Sequence, residues 1–394
     1  MPLHAPSSLT KLLRRTLCAL VLSLAVQPSR SVAQDVDLPP GGGDAPAQPG
    51  PRAHDLSGAM RVADIRKAAA KVAAWQLARV EQHPSLDWTF APLYLGFLSA
   101  GELLHEPRYP AYVRSVGEHF NWNLGPRIQH ADDQAIAQSY LELYFRHPDA
   151  ALLQPLRQRY DAQMKQPDDP KRPLWWWCDA LFMAPPVWAG LAEATHDRSY
   201  LDYMDRQWWI TSGRLYDTNE HLFSRDASYL DRHELNGKKL FWSRGNGWVL
   251  AGLARVLERM PSDYPSRDRY LQQFRDMAAR LAILQGRDGL WRPGLLDADS
   301  YPRPEVSGSA FITYALAWGV HHHVLDARTY TPVIRRSWRG MVEQIYADGR
   351  LGDIQPIGAA PGQYPDSASY VYGVGAFLLA AHEVAAITDQ KSRP

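Results

Sequence analysis

A repeated pattern of Ala- and Gly-rich helices is the feature of this chain that most restricts its fold. Apolar residues recur at helical spacing in about twelve segments, and no series of alternating strands is evident. Half of these segments open alike after a polar or Gly-rich loop, as in Trp248–Ala254 and Tyr372–Ala376. Because small residues let a helix pack closely on all sides, such helices are predicted to be inner ones. The segments are 59–82, 90–104, 109–121, 131–146, 150–165, 179–195, 197–211, 246–260, 266–285, 308–323, 328–346 and 370–388.

The spacing of the inner helices predicts a closed barrel. Their starts fall near 90, 132, 179, 246, 308 and 370, a repeat of about 40 to 70 residues that is typical of stacked helical hairpins. Six hairpins of alternating inner and outer helices would close into an all-α (α/α)6 barrel, and an open solenoid is the alternative. The long polar loops all precede inner helices, so in a barrel they would gather at one end and line one cleft.

The N-terminus has the pattern of a secretory signal peptide over residues 1–33. The apolar run Leu17–Val26 is too short to span a bilayer, and the small residues Ser31-Val32-Ala33 offer a cleavage site. Three basic residues precede the run, namely Lys11, Arg14 and Arg15. The protein is therefore expected to be secreted or periplasmic.

The rest of the chain is expected to hold one domain. Residues 34–54 are rich in Pro, Gly and Asp and are predicted to be a disordered leader, which leaves 55–390 for a single barrel. Once the signal peptide is removed only Cys178 remains, so an intrachain disulfide is impossible. No later apolar run is expected to form a membrane helix.

Composition restricts the class of ligand. The 394-residue chain has a formal net charge of +1, which gives no electrostatic argument for nucleic acid or for an anionic membrane surface. Its 14 Trp and 19 Tyr outnumber its 10 Phe. This bias toward amphipathic rings favours carbohydrate, although a large helical core could also use them.

The segment Trp175–Asp179 places three consecutive indoles next to one carboxyl group. Indole faces stack on the apolar faces of sugar rings, which makes Trp176 and Trp177 candidate substrate contacts. Packed indoles also remove water from Asp179, and desolvation raises the pKa of a carboxyl group, as a general acid near neutral pH requires. The alternative is a hydrophobic hinge in which Asp179 caps the following helix.

The pair Asp132-Asp133 opens the preceding inner helix, at the place equivalent to Asp179. Adjacent Asp residues at a helix start commonly cap it and favour its dipole. In a closed barrel, however, these carboxylates would face the same cleft as Asp179. They are therefore candidate functional groups.

The segment Trp242–Trp248 is a third candidate, in which a Gly-Asn-Gly turn separates Arg244 from Trp248. An arginine offers a planar, bidentate grip on a carboxylate, and the two indoles offer stacking surfaces. This combination suits a uronic acid, and a structural Gly turn with a packed Arg is the alternative. The loop before it adds His221 and Arg225 as further candidates.

Metal ligation is not expected. His321–His323 are consecutive on a predicted helix, where neighbouring side chains diverge. The chain also lacks a Gly-Lys-Ser/Thr phosphate loop, a Gly-x-Ser-x-Gly elbow and a His-Glu-x-x-His motif. No cofactor is therefore predicted.

Trp175–Pro186 and Trp242–Trp248 together resemble the unsaturated glucuronyl and rhamnogalacturonyl hydrolases of glycoside hydrolase families 88 and 105, with family 105 the closer. The resemblance extends over residues 60–388. It implies an (α/α)6 barrel that needs no metal and removes a Δ4,5-unsaturated uronic acid from the non-reducing end of lyase-generated oligosaccharides, with pectin-type rhamnogalacturonan as the expected source. In this family an Asp protonates C4 of the enol ether, water adds at C5, and the hemiketal opens with loss of the glycosidic bond.

The resemblance also implies roles for single residues. Asp179 matches the family acid/base. Asp132 matches the second Asp near the substrate, with Asp133 as the alternative match. Arg244 and Trp248 match the Arg-x-x-x-Trp pattern around the sugar.

The chain departs from the family in the loop 221–225, where many members carry a His after an aromatic residue and this chain has Arg225. The role of that histidine and the substrate subtype therefore stay open. Two other functions also stay open: an inverting, mannanase-like (α/α)6 glycosidase that uses Asp132 and Asp133, and a non-catalytic sugar-binding protein. The sequence indicates neither the sugar next to the uronate nor the oligomeric state.

Overall fold

The computed structural model describes residues 42–167, 169 and 173–392, which belong to one compact unit. The predicted signal peptide lies outside the described residues. Helices dominate the structure, and every predicted helical segment overlaps at least one of them. The helices are α1 (Val62–Val80), α2 (Phe90–Leu104), α3 (Arg108–His119), α4 (Ala131–Gln134), α5 (Ala137–Arg146), α6 (Ala150–Met164), α7 (Ala180–Met183), α8 (Pro185–Thr195), α9 (Ser199–Leu215), α10 (Ser243–Arg259), α11 (Arg267–Ile283), α12 (Val306–His321), α13 (Ala327–Val342) and α14 (Val371–Ser392).

Six helices form a closed inner ring. Each packs against two neighbours, in the order α2, α5, α8, α10, α12, α14 and back to α2. The outer helices α1, α3, α6, α9, α11 and α13 pack against the outside of this ring. The ring confirms the all-α (α/α)6 barrel and excludes the open solenoid.

Small residues allow the inner helices to approach one another closely, as the Ala- and Gly-rich pattern predicted. A Cβ atom at Gly96 of α2 would lie 2.6 Å from the carbonyl oxygen of Gly375 in α14. A Cβ atom at Gly247 of α10 would lie 2.9 Å from the carbonyl oxygen of Gly308 in α12. Neither contact has room for a side chain, so these glycines set the spacing of the ring.

Two inner helices begin with a separate short turn. The one-turn helix α4 precedes α5, and α7 precedes α8. The second break falls at Ala184, directly before Pro185-Pro186, because proline has no backbone N–H with which to continue α7. Since the inner helices all run in the same direction, both turns lie at one end of the barrel.

Two short antiparallel strand pairs lie at the connections before inner helices. In the loop before α10, β2 (Tyr216–Asp217) pairs with β3 (Leu222–Phe223). Directly before α14, β4 (Ser369–Tyr370) pairs with β1 (Gly43–Asp44) from the start of the described chain. Two 3-10 turns complete the described elements, at Ala227–Tyr229 and Ala298–Ser300.

Residues 42–54 are ordered against the barrel, contrary to the predicted disordered leader over 34–54, of which 34–41 lie outside the described residues. Gly43–Asp44 pair with β4, and the Asp44 carboxylate binds Arg79 and Arg350. The composition predicted disorder because the segment has little apolar surface to bury. Strand pairing and buried ion pairs hold it instead.

The last inner helix also differs from expectation. Val371–Asp389 is long and apolar enough to cross a membrane by length and composition, contrary to the expectation that no later run qualifies. This stretch is 83% buried inside the protein. Its place in the inner ring accounts for its apolar character.

Candidate active site

Asp179 lies at the start of α7, at the end of the barrel where the long loops gather. Its carboxyl group makes no capping bond to the helix, so the helix-cap alternative is wrong. The residue is 9% exposed, and the Cys178 thiol donates to Oδ1 at 3.1 Å. A Cβ atom at Gly245 would lie 3.5 Å from that oxygen and 3.0 Å from the Cys178 sulfur, so this glycine leaves room for both. The predicted Gly-Asn-Gly turn is wrong, because Gly245–Gly247 lie in the first turns of the helix α10.

Opposing effects act on the proton affinity of Asp179. Burial raises its pKa and the Asp226 carboxylate adds to this, whereas Arg225, the Cys178 thiol and Arg244 lower it. Burial favours the neutral carboxyl group, and the two arginines stabilise the carboxylate once the proton has left. Asp179 can therefore both give and accept a proton.

Asp132 lies in α4, close enough to Asp179 for the two carboxyl groups to interact electrostatically. Burial and the Asp179 carboxylate raise the pKa of Asp132 to about 7. No hydrogen bond from the described residues reaches the Asp132 carboxyl group, and His130 Nδ1 lies 3.6 Å from its Oδ2. Asp132 therefore keeps its proton up to near neutral pH, because burial and the nearby Asp179 carboxylate disfavour its charged form.

Asp133 is engaged with a single arginine. Its Oδ2 accepts the Arg127 amide at 2.7 Å, and its Oδ1 accepts Nε and Nη2 of the same residue at 3.0 and 2.5 Å. Burial raises the pKa of Asp133, but these bonds outweigh it and the net shift is downward. Asp133 therefore fixes the loop before α4, and the geometry points to Asp132 as the second functional carboxyl group.

The three consecutive tryptophans have different positions. Trp175 is fully buried, and Trp177 packs against His130 with ring centroids 5.0 Å apart. Trp176 is 47% exposed and its ring lies 4.7 Å from that of Trp177. Of the three, only Trp176 is exposed enough for a sugar to contact, and the other two are buried.

The Arg244 guanidinium is clamped by the chain stretch before β4. Nη1 donates to the carbonyl of Gln355 and to Tyr372 Oη, and Nη2 donates to the carbonyl of Pro356 at 2.9 Å. The guanidinium carbon lies 4.3 Å from the Trp242 ring centre and 5.0 Å from that of Tyr372. Nε and one Nη2 hydrogen have no partner among the described residues, but the side chain is only 1% exposed, so this edge is not open to the cleft as the structure stands. Binding of a substrate carboxylate at Arg244 stays a prediction.

Trp242 and Trp248 are buried rather than open to the cleft. Trp242 Nε1 donates to Gln355 Oε1 at 2.9 Å, so this indole supports the arginine clamp. The Trp248 ring packs between Phe182 and Phe311, with centroids at 4.8 and 4.0 Å. Both rings therefore build the base of the site, and neither offers an open face for sugar stacking.

Arg225 joins the site through several contacts. Its Nη1 binds Asp226 Oδ2 at 2.5 Å, and its guanidinium carbon lies 5.3 Å from the Trp176 ring centre. Its charge lowers the pKa of Asp179. The backbone ties the two segments together, because the Cys178 amide donates to the Arg225 carbonyl at 2.8 Å.

His221 has a different place. Its Nδ1 lies 3.1 Å from Tyr216 Oη, within the β2–β3 hairpin. The adjoining Glu220 binds Arg280 of the outer helix α11 at 2.5 Å. These contacts direct the tip of the hairpin toward the outer helices rather than toward Asp179.

Trp88 is a candidate contact that the sequence did not reveal. It is half-buried, stacks on Tyr372 with centroids 5.8 Å apart, and lies 6.3 Å from Trp248. The preceding Asp87 raises the pKa of Asp132, so the loop before α2 reaches the same end of the barrel. A single Trp outside any motif gives little signal, although its position just before an inner helix could have found it.

A group of possible metal ligands lies at the opposite end of the barrel. His321, His322 and Glu383 offer ligand atoms that lie within 4.8 Å of one another. His321 Nδ1 already binds Glu383 Oε2 at 2.8 Å, and His322 stacks on Trp318. The absence of a metal from the reaction stays a prediction.

The fold and the paired carboxyl groups define a glycoside hydrolase, with acid–base groups and aromatic rings at one end of a helical barrel. The chain belongs to Glycosyl Hydrolase Family 88, whose family model matches residues 63–388. It is 40% identical over 337 residues to the unsaturated 3S-rhamnoglycuronyl hydrolase of Formosa agariphila, which covers 80% of this chain and 88% of that one. The predicted family relationship and enzyme class are thus confirmed.

Solved structures share the fold. A glycosyl hydrolase family 88 protein from Bacteroides vulgatus is 30% identical with a TM-score of 0.77, over 82% of this chain and 98% of that one. A possible member of the GH105 family from Salmonella enterica serovar Paratyphi A has a TM-score of 0.69 at 19% identity, over 84% of this chain and 95% of that one. The greater closeness to family 105 stays a prediction.

Proposed function

We propose that this hydrolase removes a Δ4,5-unsaturated uronic acid from the non-reducing end of oligosaccharides released by polysaccharide lyases. The Asp132–Asp179 pair carries the proposal, because it retains a proton near neutral pH in a water-shielded site. Arg225 and Arg244 supply positive charge beside Asp179, as an anionic sugar requires. Family membership and the name of the Formosa relative support the substrate class.

The proposed reaction is hydration of the enol-ether double bond. Asp179 donates a proton to C4, which leaves a cation at C5 that the ring oxygen stabilises. Water adds at C5 and gives up a proton to the Asp179 carboxylate that the first step leaves. The hemiketal opens as the bond between C5 and the ring oxygen breaks, and the C1 hemiacetal then releases the neighbouring sugar. One water is consumed, and the pair regains its proton.

We further propose that the sugar next to the uronate is a rhamnose. The Formosa relative is named an unsaturated 3S-rhamnoglycuronyl hydrolase. The open face of Trp176 suits the apolar side of a deoxy sugar. Pectin-type rhamnogalacturonan fragments and unsaturated rhamnoglycuronyl fragments are therefore the two substrates to compare.

The geometry argues against an inverting glycosidase that uses Asp132 and Asp133. Both oxygens of Asp133 accept bonds from Arg127. A carboxylate held in this way and with a lowered pKa is a poor general base. The partner of Asp132 is instead Asp179.

We propose that the protein is secreted or periplasmic, on the strength of its N-terminal sequence. The basic residues, the short apolar run and the small residues at 31–33 support this. Fractionation of cells that produce the full chain, followed by N-terminal sequencing of the mature protein, tests it.

The reaction is tested by comparing an unsaturated disaccharide with its saturated counterpart. We expect loss of the enol-ether absorbance and release of the neighbouring sugar from the unsaturated compound alone. In heavy-oxygen water the label should appear on C5 of the uronate, because water adds there. The product must be reduced at once, since a ketone oxygen exchanges with water, and unlabelled product incubated in the same water is the control. Rapid cleavage of the saturated compound with label on C1 would return the protein to conventional glycosidases.

Replacing Arg244 by Lys should raise the KM for the unsaturated substrate by about 10- to 100-fold, as expected for the loss of charge-assisted hydrogen bonds. A lysine keeps the charge but cannot span the Gln355 and Pro356 carbonyls while presenting a planar edge to a carboxylate. Steady-state kinetics on the acid and on its methyl ester measure the effect. The difference in KM between the wild type and Arg244→Lys should be smaller on the ester than on the acid. Arg198→Lys, on the surface, is the matched control. An equal loss on acid and ester would assign Arg244 a purely structural role.

A further inference from the structure

Residues 42–53, expected from the sequence to be disordered, lie along the chain stretch that clamps the active-site arginine. At one end of the segment, the Val371 amide donates to the carbonyl of Gly42 at 3.0 Å, next to the β1–β4 pairing. At the other end, the Ala53 amide donates to the carbonyl of Ile345 at 2.8 Å. The segment is therefore tied to the barrel at both ends.

Arg52 holds a buried carboxylate beside the clamp. Its Nη2 donates to Asp353 Oδ2 at 2.7 Å, its Nη1 donates to the carbonyl of Gln344, and its guanidinium carbon lies 3.9 Å from the Tyr346 ring centre. Asp353 has a left-handed φ of 55°, which costs a non-glycine residue conformational energy. Its Oδ1 has no hydrogen-bond partner among the described residues, and Arg303 lies 3.6 Å away. Without Arg52, this strained and buried carboxylate would have no hydrogen bond to a side chain.

Gln355, two residues after Asp353, organises the clamp. Its carbonyl accepts bonds from Arg244 and, at 2.5 Å, from Tyr372 Oη. Its side-chain oxygen accepts Trp242 Nε1 at 2.9 Å. A shift of the backbone at Asp353 therefore moves an acceptor of Arg244.

Strand β1 holds the other end of the same stretch, because Gly43 pairs with Tyr370 and Asp44 with Ser369. The Tyr370 ring covers Gly43 so closely that a Cβ atom there would collide with it. The Asp44 carboxylate also binds Arg350, whose Nη1 donates to the Ser367 carbonyl at 3.4 Å. Tyr370 stacks on Tyr372 with ring centroids 5.6 Å apart. Because Tyr372 also contacts the active-site arginine, both ends of the stretch 353–370 connect residues 42–53 to the clamp.

We infer that residues 42–53 form a strap that positions Arg244 for catalysis, with Arg52 and Asp44 as its positioning residues. The strap thus supports the stretch that holds Arg244 and is not a spacer between the N-terminus and the barrel. Its kinetic consequence rests on the proposed function, whereas its effect on the stretch 353–370 does not.

Hydrogen–deuterium exchange and steady-state kinetics on the full chain test this inference with Arg52→Ala and Arg52→Lys. The Asp353 and Ile354 amides, which donate to the Asp366 and Ala368 carbonyls, should exchange faster in Arg52→Ala. The KM for the unsaturated disaccharide should rise about tenfold with a smaller change in kcat, since small misplacements of binding groups have effects of this order or larger. Arg52→Lys should give exchange rates and a KM between those of the wild type and Arg52→Ala. Lysine keeps the positive charge but cannot form the paired hydrogen bonds of a planar guanidinium.

A matched control and a rescue separate positioning from stability. Arg61→Ala, whose side chain is 72% exposed and pairs with Asp64, should leave exchange and kinetics unchanged. Adding Asp353→Asn to Arg52→Ala should lower the KM part of the way back to the wild-type value. A buried neutral amide tolerates the loss of its arginine better than a carboxylate does. If Arg52→Ala lowers the melting temperature but leaves the exchange over 353–370 and the KM unchanged, residues 42–53 only stabilise the fold and the inference is wrong. If the wild-type enzyme leaves unsaturated substrates untouched, the proposed function fails, and the exchange data still decide the strap.

Discussion

Replacing Asp179 by Asn should lower kcat by about 10²- to 10⁴-fold, the usual contribution of a general acid. The carboxyl group is buried, receives the Cys178 thiol at 3.1 Å, and lies between Arg225 and Arg244. An amide keeps the shape and can still accept the thiol hydrogen, but it has no proton to give to C4. Single-turnover kinetics on the unsaturated disaccharide, read by loss of the enol-ether absorbance, measure the chemical step directly.

The fold of Asp179→Asn should survive, because burial disfavours the charge that the substitution removes. Near-ultraviolet circular dichroism, dominated by the packed tryptophans, checks this. Asp64→Asn, a half-buried carboxylate in the first turn of α1 that pairs with the exposed Arg61, is the control for a general effect of losing a carboxylate. Substantial activity in Asp179→Asn would remove this residue from the mechanism. A much larger loss in Asp132→Asn than in Asp179→Asn would make Asp132 the proton donor.

The barrel was predictable because its determinants are local and repeated. Helical spacing of apolar residues located every segment, and contacts such as Gly96 against Gly375 explain why inner helices need small residues. The burial of Asp179, the candidate acid, was also predictable, since indoles adjacent in the sequence stay near it in space. The chain therefore encodes both the architecture and the centre of the site in short stretches.

The remainder of the site depends on contacts between distant parts of the chain. Trp248 belongs to a motif, yet it packs between Phe182 and Phe311 because α10 lies against both α7 and α12. Arg244 meets its acceptors more than a hundred residues away, at Gln355 and Pro356. No local sequence pattern predicts such distant contacts. Composition also predicted the wrong structure for residues 42–54, because ion pairs and strand pairing hold this segment in place of apolar burial.

Replacing Asp132 by Asn should lower kcat by about 10²-fold or more and, unusually for a functional change, stabilise the fold at alkaline pH. The activity loss follows from removing the carboxyl group that interacts electrostatically with Asp179. The gain in stability follows from the pKa of Asp132, which burial and the Asp179 carboxylate raise to about 7. The free energy of unfolding from denaturant titrations at pH 5 and pH 8, together with kcat, measures both effects.

The sign of this pH effect follows from where the proton binds. In the unfolded chain Asp132 loses its proton near its usual pKa of about 4, whereas in the folded protein it keeps the proton until about pH 7, so stability falls as the pH rises through this window. Asn has no such loss, and its stabilising effect relative to the wild type should grow by on the order of 2 kcal/mol between pH 5 and pH 8. The neighbouring Asp133→Asn is the matched control with the opposite sign, because its lowered pKa and its bonds to Arg127 make the carboxylate stabilising at both pH values. Stabilities of Asp132→Asn and the wild type that differ equally at pH 5 and pH 8 would show that Asp132 does not keep its proton to near pH 7 in the folded protein.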